Sequence, residues 1–400
     1  MVGGMERSLR AARAATYVYF VLCGTLMGAW VVHIPAIETR VGVGHAALGV
    51  LLVLLGLGAF AGMRAAGPLT DRLGARTAVP ASGALCAVSL VLPGLAPDPW
   101  TLAAALLVLG FANGCLDVSM NAHAVHVEQA YGRPVMSGFH ATFSIGGVLA
   151  AGAAAAATAA GLGPAATLAL LGALGLATAL LAARGLLPAA PAPDAADAPA
   201  ADAPAAGGGD VRGRIRVLAV LALMVMLAEG AANDWSALHL KDVLGTPAST
   251  AAFAYGAFAA AMTTGRLLAD RIADRHGPTA VLRHGAATAA LGITVAALTP
   301  WTWAAFLGWA LFGLGLSGCV PQLLSAAGHA DPAAAGANVS RVAGLGYLGM
   351  LAGPAVIGWL THLTALNHAF LLLALLCAAT ATAAGVLRTA PAGAPTGGTH

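Results

Sequence analysis

The chain has 400 residues, of which 59% are hydrophobic and only 9% are charged. An ordinary soluble domain is about one-quarter charged, because charged side chains cover a surface that faces water. The composition therefore excludes a soluble globular enzyme and indicates a protein that is surrounded mostly by lipid. The five cysteines lie inside apolar runs without CxxC spacing, so neither a disulfide framework nor a zinc site is expected.

Long apolar runs in the first half of the chain predict six membrane-spanning helices. Each run reaches the roughly 20 residues that a helix needs to cross a bilayer. The run 134–183 is about twice that long and is interrupted by a Gly-Leu-Gly-Pro turn at 161–164, so we expect two helices there. The other predicted spans are 14–37, 41–63, 77–97 and 99–122.

A segment of different composition follows. Residues 188–210 are rich in Pro, Ala and Asp and contain no large apolar side chain, so they cannot bury a core. We therefore predict a flexible linker. The predicted organisation is an N-terminal six-helix half at 1–187, a linker at 188–214, a C-terminal six-helix half at 215–390 and a disordered tail at 391–400.

The second half repeats the layout of the first. Spans are predicted at 217–240 and 243–265, two more in 284–330 with a break at Thr299-Pro300, and two in 342–387 with a break around 362–368. Continuous apolar runs, rather than alternating ones, are not typical of a membrane β-barrel. The predicted fold is all-α and integral to the membrane, with twelve transmembrane helices in two six-helix halves.

The distribution of Lys and Arg predicts the orientation. If the N-terminus is cytoplasmic, the outer connections hold only Arg40 and Lys241, and the other basic residues lie on the inner side. We expect a multi-pass protein of the cytoplasmic (inner) membrane, with both termini and the linker in the cytoplasm.

A short charged turn recurs in the two halves at a constant spacing, which indicates a duplicated unit. The first copy has Gly62, Asp71, Arg72 and Gly74, and the second has Gly265, Asp274, Arg275 and Gly277. The second copy departs from the first by an additional Asp-Arg pair at 270–271.

Twelve spans, a central linker and the turn at 67–76 resemble the major facilitator superfamily. The segments 111–121 and 229–236 are most similar to its fucose-permease-like branch. The resemblance implies a central cavity between two halves that rock to expose it alternately to either side of the membrane.

The residue types of the turn suit a gate between the halves. Glycines permit close helix approach, and an aspartate is favoured near a helix N-terminus by the helix dipole. The alternative is a charge cluster that only sets topology. The lone cation Arg341 is expected to pair with the Asp71 turn, or else to bind an anionic substrate. The predicted gating residues are Gly67, Asp71, Arg72, Gly74, Arg76, Asp270, Arg271, Asp274, Arg275 and Arg341.

Charged groups inside a bilayer are costly and are therefore functional candidates. Glu229 lies near the middle of its span and is the first candidate for a proton carrier, because a carboxyl group in an apolar site can carry a proton at neutral pH. The alternative is a structural acid. Asp117 is a second candidate, whereas Asp234 could be a rim charge and His33 a packing residue. The predicted proton-coupling residues are Glu229, Asp117, Asp234 and His33.

Polar and aromatic residues at helical spacing predict the lining of a solute site. Asn113, Asp117 and Asn121 share one stripe of a helix, which suits either a wet cavity or a hydrogen-bonded helix seam. His140 could be a relay or a packing residue, and His123 and His126 are predicted in a solvated loop. The predicted substrate-binding residues are Trp30, Asn113, Asn121, Asn233, Trp235, Gln322, Asn338 and Tyr347.

These features favour a secondary transporter that moves a small polar solute, sugar-like as one option, by symport with protons. One alternative is a proton-driven exporter of a drug-like compound, although span 5 lacks the proline of the drug-antiporter branches. Another is a non-transporting sensor or scaffold. The sequence has no GxxxxGK[ST], GxSxG or HExxH motif, so no enzymatic activity, cofactor or metal is expected. The expected partners are a small molecule, protons and lipid, without nucleic acid, and a monomer is expected.

Overall fold

A computed structural model describes residues 2–43, 45–188 and 208–388. The N-terminal half contains seven α-helical segments in these residues: α1 (Val2–Val41), α2 (His45–Leu73), α3 (Ala75–Ser89), α4 (Val91–Leu95), α5 (Pro99–Tyr131), α6 (Met136–Ala159) and α7 (Pro164–Ala182). The C-terminal half contains eight: α8 (Gly208–Leu238), α9 (Ala248–His276), α10 (Pro278–Leu298), α11 (Thr302–Leu316), α12 (Cys319–Ala330), α13 (Ala335–Leu360), α14 (Leu366–Ala369) and α15 (Leu371–Ala383).

The helical segments combine into twelve spans. The pairs α3–α4, α11–α12 and α14–α15 are each one span with a local break. Ten of the spans in the described residues are long and apolar enough to cross a bilayer, and α6 and α9 complete the two halves. The predicted all-α fold with twelve transmembrane helices in two six-helix halves is confirmed, and the breaks near Thr299 and His362 fall between helices as expected.

Two boundaries differ from the sequence prediction. Helix α5 continues to Tyr131 and ends at Gly132, which has a left-handed φ of 65°. His123 and His126 therefore lie inside this helix, so their assignment to a solvated loop was wrong. Helix α8 begins at Gly208, so the last part of the predicted linker, 208–214, is helical. The rest of the linker from 189 to 207 and the tail at 391–400 lie outside the described residues.

The duplicated turn has the same backbone geometry in both halves. Gly74 has φ 74° and ψ 157°, and Gly277 has φ 82° and ψ 157°. Each glycine precedes the next helix, α3 or α10, and only glycine adopts this conformation without steric cost. The repeat read from the sequence is thus also a repeat of structure.

Glycines also let equivalent helix pairs pack closely in each half. A Cβ atom on Gly24 or Gly146 would overlap the backbone where α1 meets α6. In the C-terminal half, Gly230 and Gly349 have the same restriction where α8 meets α13. Small residues allow membrane helices to approach closely when no hydrophobic effect drives their association.

The two ends of the bundle differ in chemistry. We call the end at which α7 finishes and α8 begins the linker end. At the opposite end, four tryptophans are between 62% and 85% exposed, as expected for side chains at a membrane–water interface. They are Trp100, Trp301, Trp303 and Trp359. Asp98 caps α5 at that end, and hydrogen bonds from Thr101 lower the pKa of this carboxyl group.

Candidate transport site

A cavity of about 200 Å³ lies between the two halves. Helices α1, α5 and α6 form its wall on one side, and α8, α9, α12 and α13 form it on the other. The wall includes two acids, Asp117 and Glu229, and two basic side chains, His140 and Arg266. Because both halves contribute charged side chains, movement of one half against the other would change the electrostatics of the cavity.

An ion pair links Glu229 of α8 to Arg266 of α9. The Glu229 Oε1 to Arg266 Nη2 distance is 3.3 Å, and the two side chains are only 13% and 15% exposed. The guanidinium group also donates to Ser144 Oγ of α6 at 3.3 Å, which carries the contact into the other half. Arg266 Nε is buried without a hydrogen-bond partner in the described residues. The pair is therefore sensitive to any change of charge on Glu229.

A second polar group connects Asp117, Asn121 and His140. The Asn121 amide nitrogen donates to the backbone oxygen of Asp117 at 2.8 Å and to its Oδ1 at 3.3 Å. Asn121 Oδ1 then faces His140 Nε2 at 3.1 Å, a distance that suits a hydrogen bond when this ring nitrogen carries the hydrogen. Asn113, on the same stripe, lies away from the cavity and accepts a hydrogen bond from Cys23 Sγ at 3.4 Å. One helix stripe thus contributes both to the cavity and to a helix seam.

Several predicted site residues lie outside the cavity. Asn233 and Asp234 are exposed on α8, and Trp235 donates to the Pro354 carbonyl at 3.1 Å, which ties α8 to α13. Trp30 is buried, and His33 Nδ1 is bonded within α1 to the Ala29 carbonyl at 2.8 Å.

The predicted residues on α12 and α13 are also divided. Tyr347 lines the central cavity, whereas Gln322 lines a separate hollow of about 470 Å³ at the linker end. Arg341 donates to Asn338 Oδ1 at 2.9 Å rather than to the Asp71 carboxylate. The carboxylate is already occupied by backbone donors.

Those donors belong to the N-terminus of α13 and form what we call the α13 clamp. Asp71, on α2, accepts from the backbone nitrogens of Gly336 at 2.7 Å and Ala337 at 2.9 Å. Ser340 donates to the Met63 carbonyl at 2.6 Å, and a Cβ atom on Gly67 would lie 2.6 Å from Ser340 Cβ. The first amides of a helix lack intrahelical acceptors, so an anion from the other half satisfies them.

The same arrangement occurs at the N-terminus of α6, which we call the α6 clamp. Asp270, on α9, accepts from the backbone nitrogens of Ser137 at 2.8 Å and Gly138 at 2.5 Å. Glu128 accepts from the two preceding amides, Val135 at 2.8 Å and Met136 at 3.0 Å. Two carboxylates thus bind four consecutive amides, one carboxylate from each half of the protein. Glu128 also accepts a hydrogen bond from Ser325 of α12, which belongs to the opposite half.

Asp270, rather than Asp274, is the structural counterpart of Asp71. Asp274 aligns with Asp71 in the sequence repeat, yet it lies one turn further along α9 and is exposed. Arg271 and Arg275 are exposed beside it, as Arg72 is in the first half. Arg76 donates to the Leu186 carbonyl at 2.9 Å and holds the start of α3 to the end of the N-terminal half.

Sequence reasoning missed two residues of these networks. Arg266 lies four positions before Asp270 and hence on the same helix face, which would have indicated an interior cation. Glu128 was overlooked because the prediction ended span 4 before it. His123, which was assigned to the loop, is buried and accepts from the Leu187 backbone nitrogen at 3.1 Å.

The fold and the charged cavity together define a multi-pass membrane transporter. The sequence model of the Major Facilitator Superfamily matches residues 16–343 and 218–399. The chain belongs to the Major Facilitator Superfamily, which confirms the resemblance seen in its motifs.

Relatives and solved structures agree with this family. An uncharacterised MFS-type transporter of Yersinia pestis is 38% identical over 364 residues, which cover 91% of this chain and 92% of that protein. An uncharacterised transporter of Sinorhizobium fredii is 35% identical over 369 residues, with coverage of 92% and 96%. The crystal structure of the E. coli fucose:proton symporter FucP matches with a TM-score of 0.74 at 16% identity, covering 94% of this chain and 98% of FucP. The fold therefore agrees with the fucose-permease-like branch.

Proposed function

We propose that the protein transports a small polar solute across the cytoplasmic membrane by proton-coupled alternating access. The central cavity is the solute site, and Glu229 with Arg266 is the coupling element. The observation that carries this proposal is the ion pair between these residues, enclosed in a cavity that both halves share. Family membership supports transport, and the fold that the chain shares with the fucose:proton symporter FucP supports protons as the coupling ion.

The coupling follows from the geometry of the ion pair. A proton on Glu229 removes the anion that neutralises Arg266, and breaking a buried pair costs about 3–5 kcal/mol. Arg266 already reaches Ser144 in the other half, so its release changes a contact between the halves. Protonation of one carboxyl group thereby alters the relative stability of the two access states.

We infer that the α6 and α13 clamps form the gate at the linker end. Each clamp joins a carboxylate of one half to helix amides of the other, so opening this end must break both. The concentration of arginine at this end supports its placement in the cytoplasm, with both termini. The state described here is then closed toward the cytoplasm.

The test is flux in proteoliposomes that contain the purified protein and an imposed pH gradient. Glu229→Gln should abolish proton-driven accumulation while the protein stays folded and still exchanges solute across the membrane. The matched control is Asp234→Asn, which neutralises an exposed carboxylate on the same helix outside the cavity. Normal proton-driven accumulation by Glu229→Gln would exclude Glu229 as the coupling group.

A second candidate function is export of an amphipathic compound. Aromatic and methionine side chains share the cavity wall with the charges, among them Phe20, Phe143, Met226 and Met350. A Streptomyces lividans protein described as a chloramphenicol resistance protein is 34% identical over 120 residues, or 30% of each chain. The side that must be acidified to drive flux distinguishes export from uptake. Failure to exchange any ligand that stabilises the protein would favour a sensor or scaffold.

A further inference from the structure

The charges on the cavity wall do not balance. The wall holds two carboxylates, Asp117 and Glu229, and one guanidinium, Arg266. Arg266 already pairs with Glu229, so the one guanidinium group on the wall is not available to Asp117. Within the part of the chain that the structure describes, Asp117 receives one side-chain hydrogen bond, the 3.3 Å contact from Asn121. A carboxylate on the wall thus lacks a cationic partner.

The surroundings of Asp117 favour an organic cation over a metal ion. Phe20, Phe143 and Tyr347 lie on the same wall, and aromatic faces attract ammonium groups. In the described residues no group of three or more His, Cys, Asp or Glu side chains could hold a metal ion. His140 is engaged with Asn121 at its Nε2 and contacts the Phe20 ring edge-on, with ring centroids 5.2 Å apart. An ammonium group can therefore bind Asp117 in a cavity whose aromatic rings also attract its charge.

We propose that the solute carries a protonated amine and that Asp117 binds this group. The inference rests on the proposed function, since it assigns the substrate class of the same cavity. A carboxylate paired with an ammonium group forms a charge-assisted hydrogen bond, which is stronger than a bond between neutral groups. An amine should therefore bind more tightly than an alcohol of the same shape.

The test compares amines with neutral isosteres on the purified full-length protein. The probes are phenethylamine with 2-phenylethanol, and glucosamine with glucose, each titrated while the melting temperature is recorded. For at least one pair, the amine should bind about 10- to 100-fold more tightly than the alcohol. Asp117→Asn should remove this preference, whereas Asp234→Asn, which neutralises an exposed carboxylate, should keep it.

The outcomes separate this inference from the proposed function. Equal affinities within both pairs, or an amine preference that survives Asp117→Asn, would overturn the inference. If Asp117→Asn does not fold, the comparison of amine with alcohol on the unaltered protein still decides. Proton-driven transport of a neutral solute would support the proposed function and overturn the inference of an amine. Amine binding through Asp117 without proton-dependent flux would support the inference and overturn the proposed proton coupling.

Discussion

The α6 clamp gives the sharpest prediction about the gate. Asp270 accepts two amide hydrogen bonds from the start of α6, and Asp270→Asn retains one acceptor oxygen but loses the second acceptor and the charge. Charge-assisted hydrogen bonds contribute about 1.5–3 kcal/mol and neutral ones about 0.5–1.5 kcal/mol. The lost helix-dipole interaction adds about 0.3–1 kcal/mol. We expect the closed state to lose at least about 2 kcal/mol, the low end of this sum, which raises the open population by roughly 30-fold or more.

A cysteine at position 137 reports on this opening. Ser137 is fully buried and serine and cysteine are similar in size, so Ser137→Cys is a mild change whose thiol reacts only when the clamp opens. The five native cysteines are all buried. The alkylation rate of Ser137→Cys by a thiol reagent applied from the linker side should rise by roughly 30-fold or more with Asp270→Asn.

The control is the same chemical change one helical turn away. Asp274→Asn neutralises the exposed aspartate that aligns with Asp71 in the sequence, and it should leave the alkylation rate unchanged. Equal alkylation rates of Ser137→Cys with and without Asp270→Asn would refute the clamp as a gate. Equal acceleration by the two substitutions would show that general surface charge, rather than the helix N-terminus, controls opening.

Three further predictions concern helix packing and buried polar contacts. Gly62→Ala should lower the free energy of unfolding by about 1–3 kcal/mol, because its Cβ would overlap the backbone of α5. Gly256→Ala, with open space around its Cα, should change it by less than about 0.5 kcal/mol, and similar melting curves for the two variants would contradict this packing. His123→Leu should cost about 0.5–1.5 kcal/mol in the same assay, since the part-buried Leu187 amide loses its acceptor, and an unchanged melting temperature would argue against that bond. Trp235→Phe should reduce thermal stability through the lost bond to Pro354 but preserve proton-driven flux, and loss of flux in a folded variant would make this tryptophan part of the solute path.

The sequence by itself determined the fold class, because apolar length and glycine turns are local properties. The twelve spans and their breaks follow from hydrophobic runs that must be surrounded by lipid or by other helices. The duplicated turn follows from the spacing of its glycine and charged residues. The sequence also pointed to Asp117 and Glu229 as residues of an interior site, and both lie on the cavity wall, since ionisable residues are rare in such runs. These inferences need no knowledge of which helices are neighbours.

Only the tertiary structure decided which charges meet. The repeat aligns Asp71 with Asp274, yet Asp270 is the residue that reaches a helix N-terminus in the other half. Likewise, Arg266 became the partner of Glu229 only when α8 and α9 were packed together. Sequence spacing fixes the face of a helix on which a side chain lies, whereas its partner depends on where a second helix begins. That position is set by packing across the two halves, at separations that no local pattern encodes.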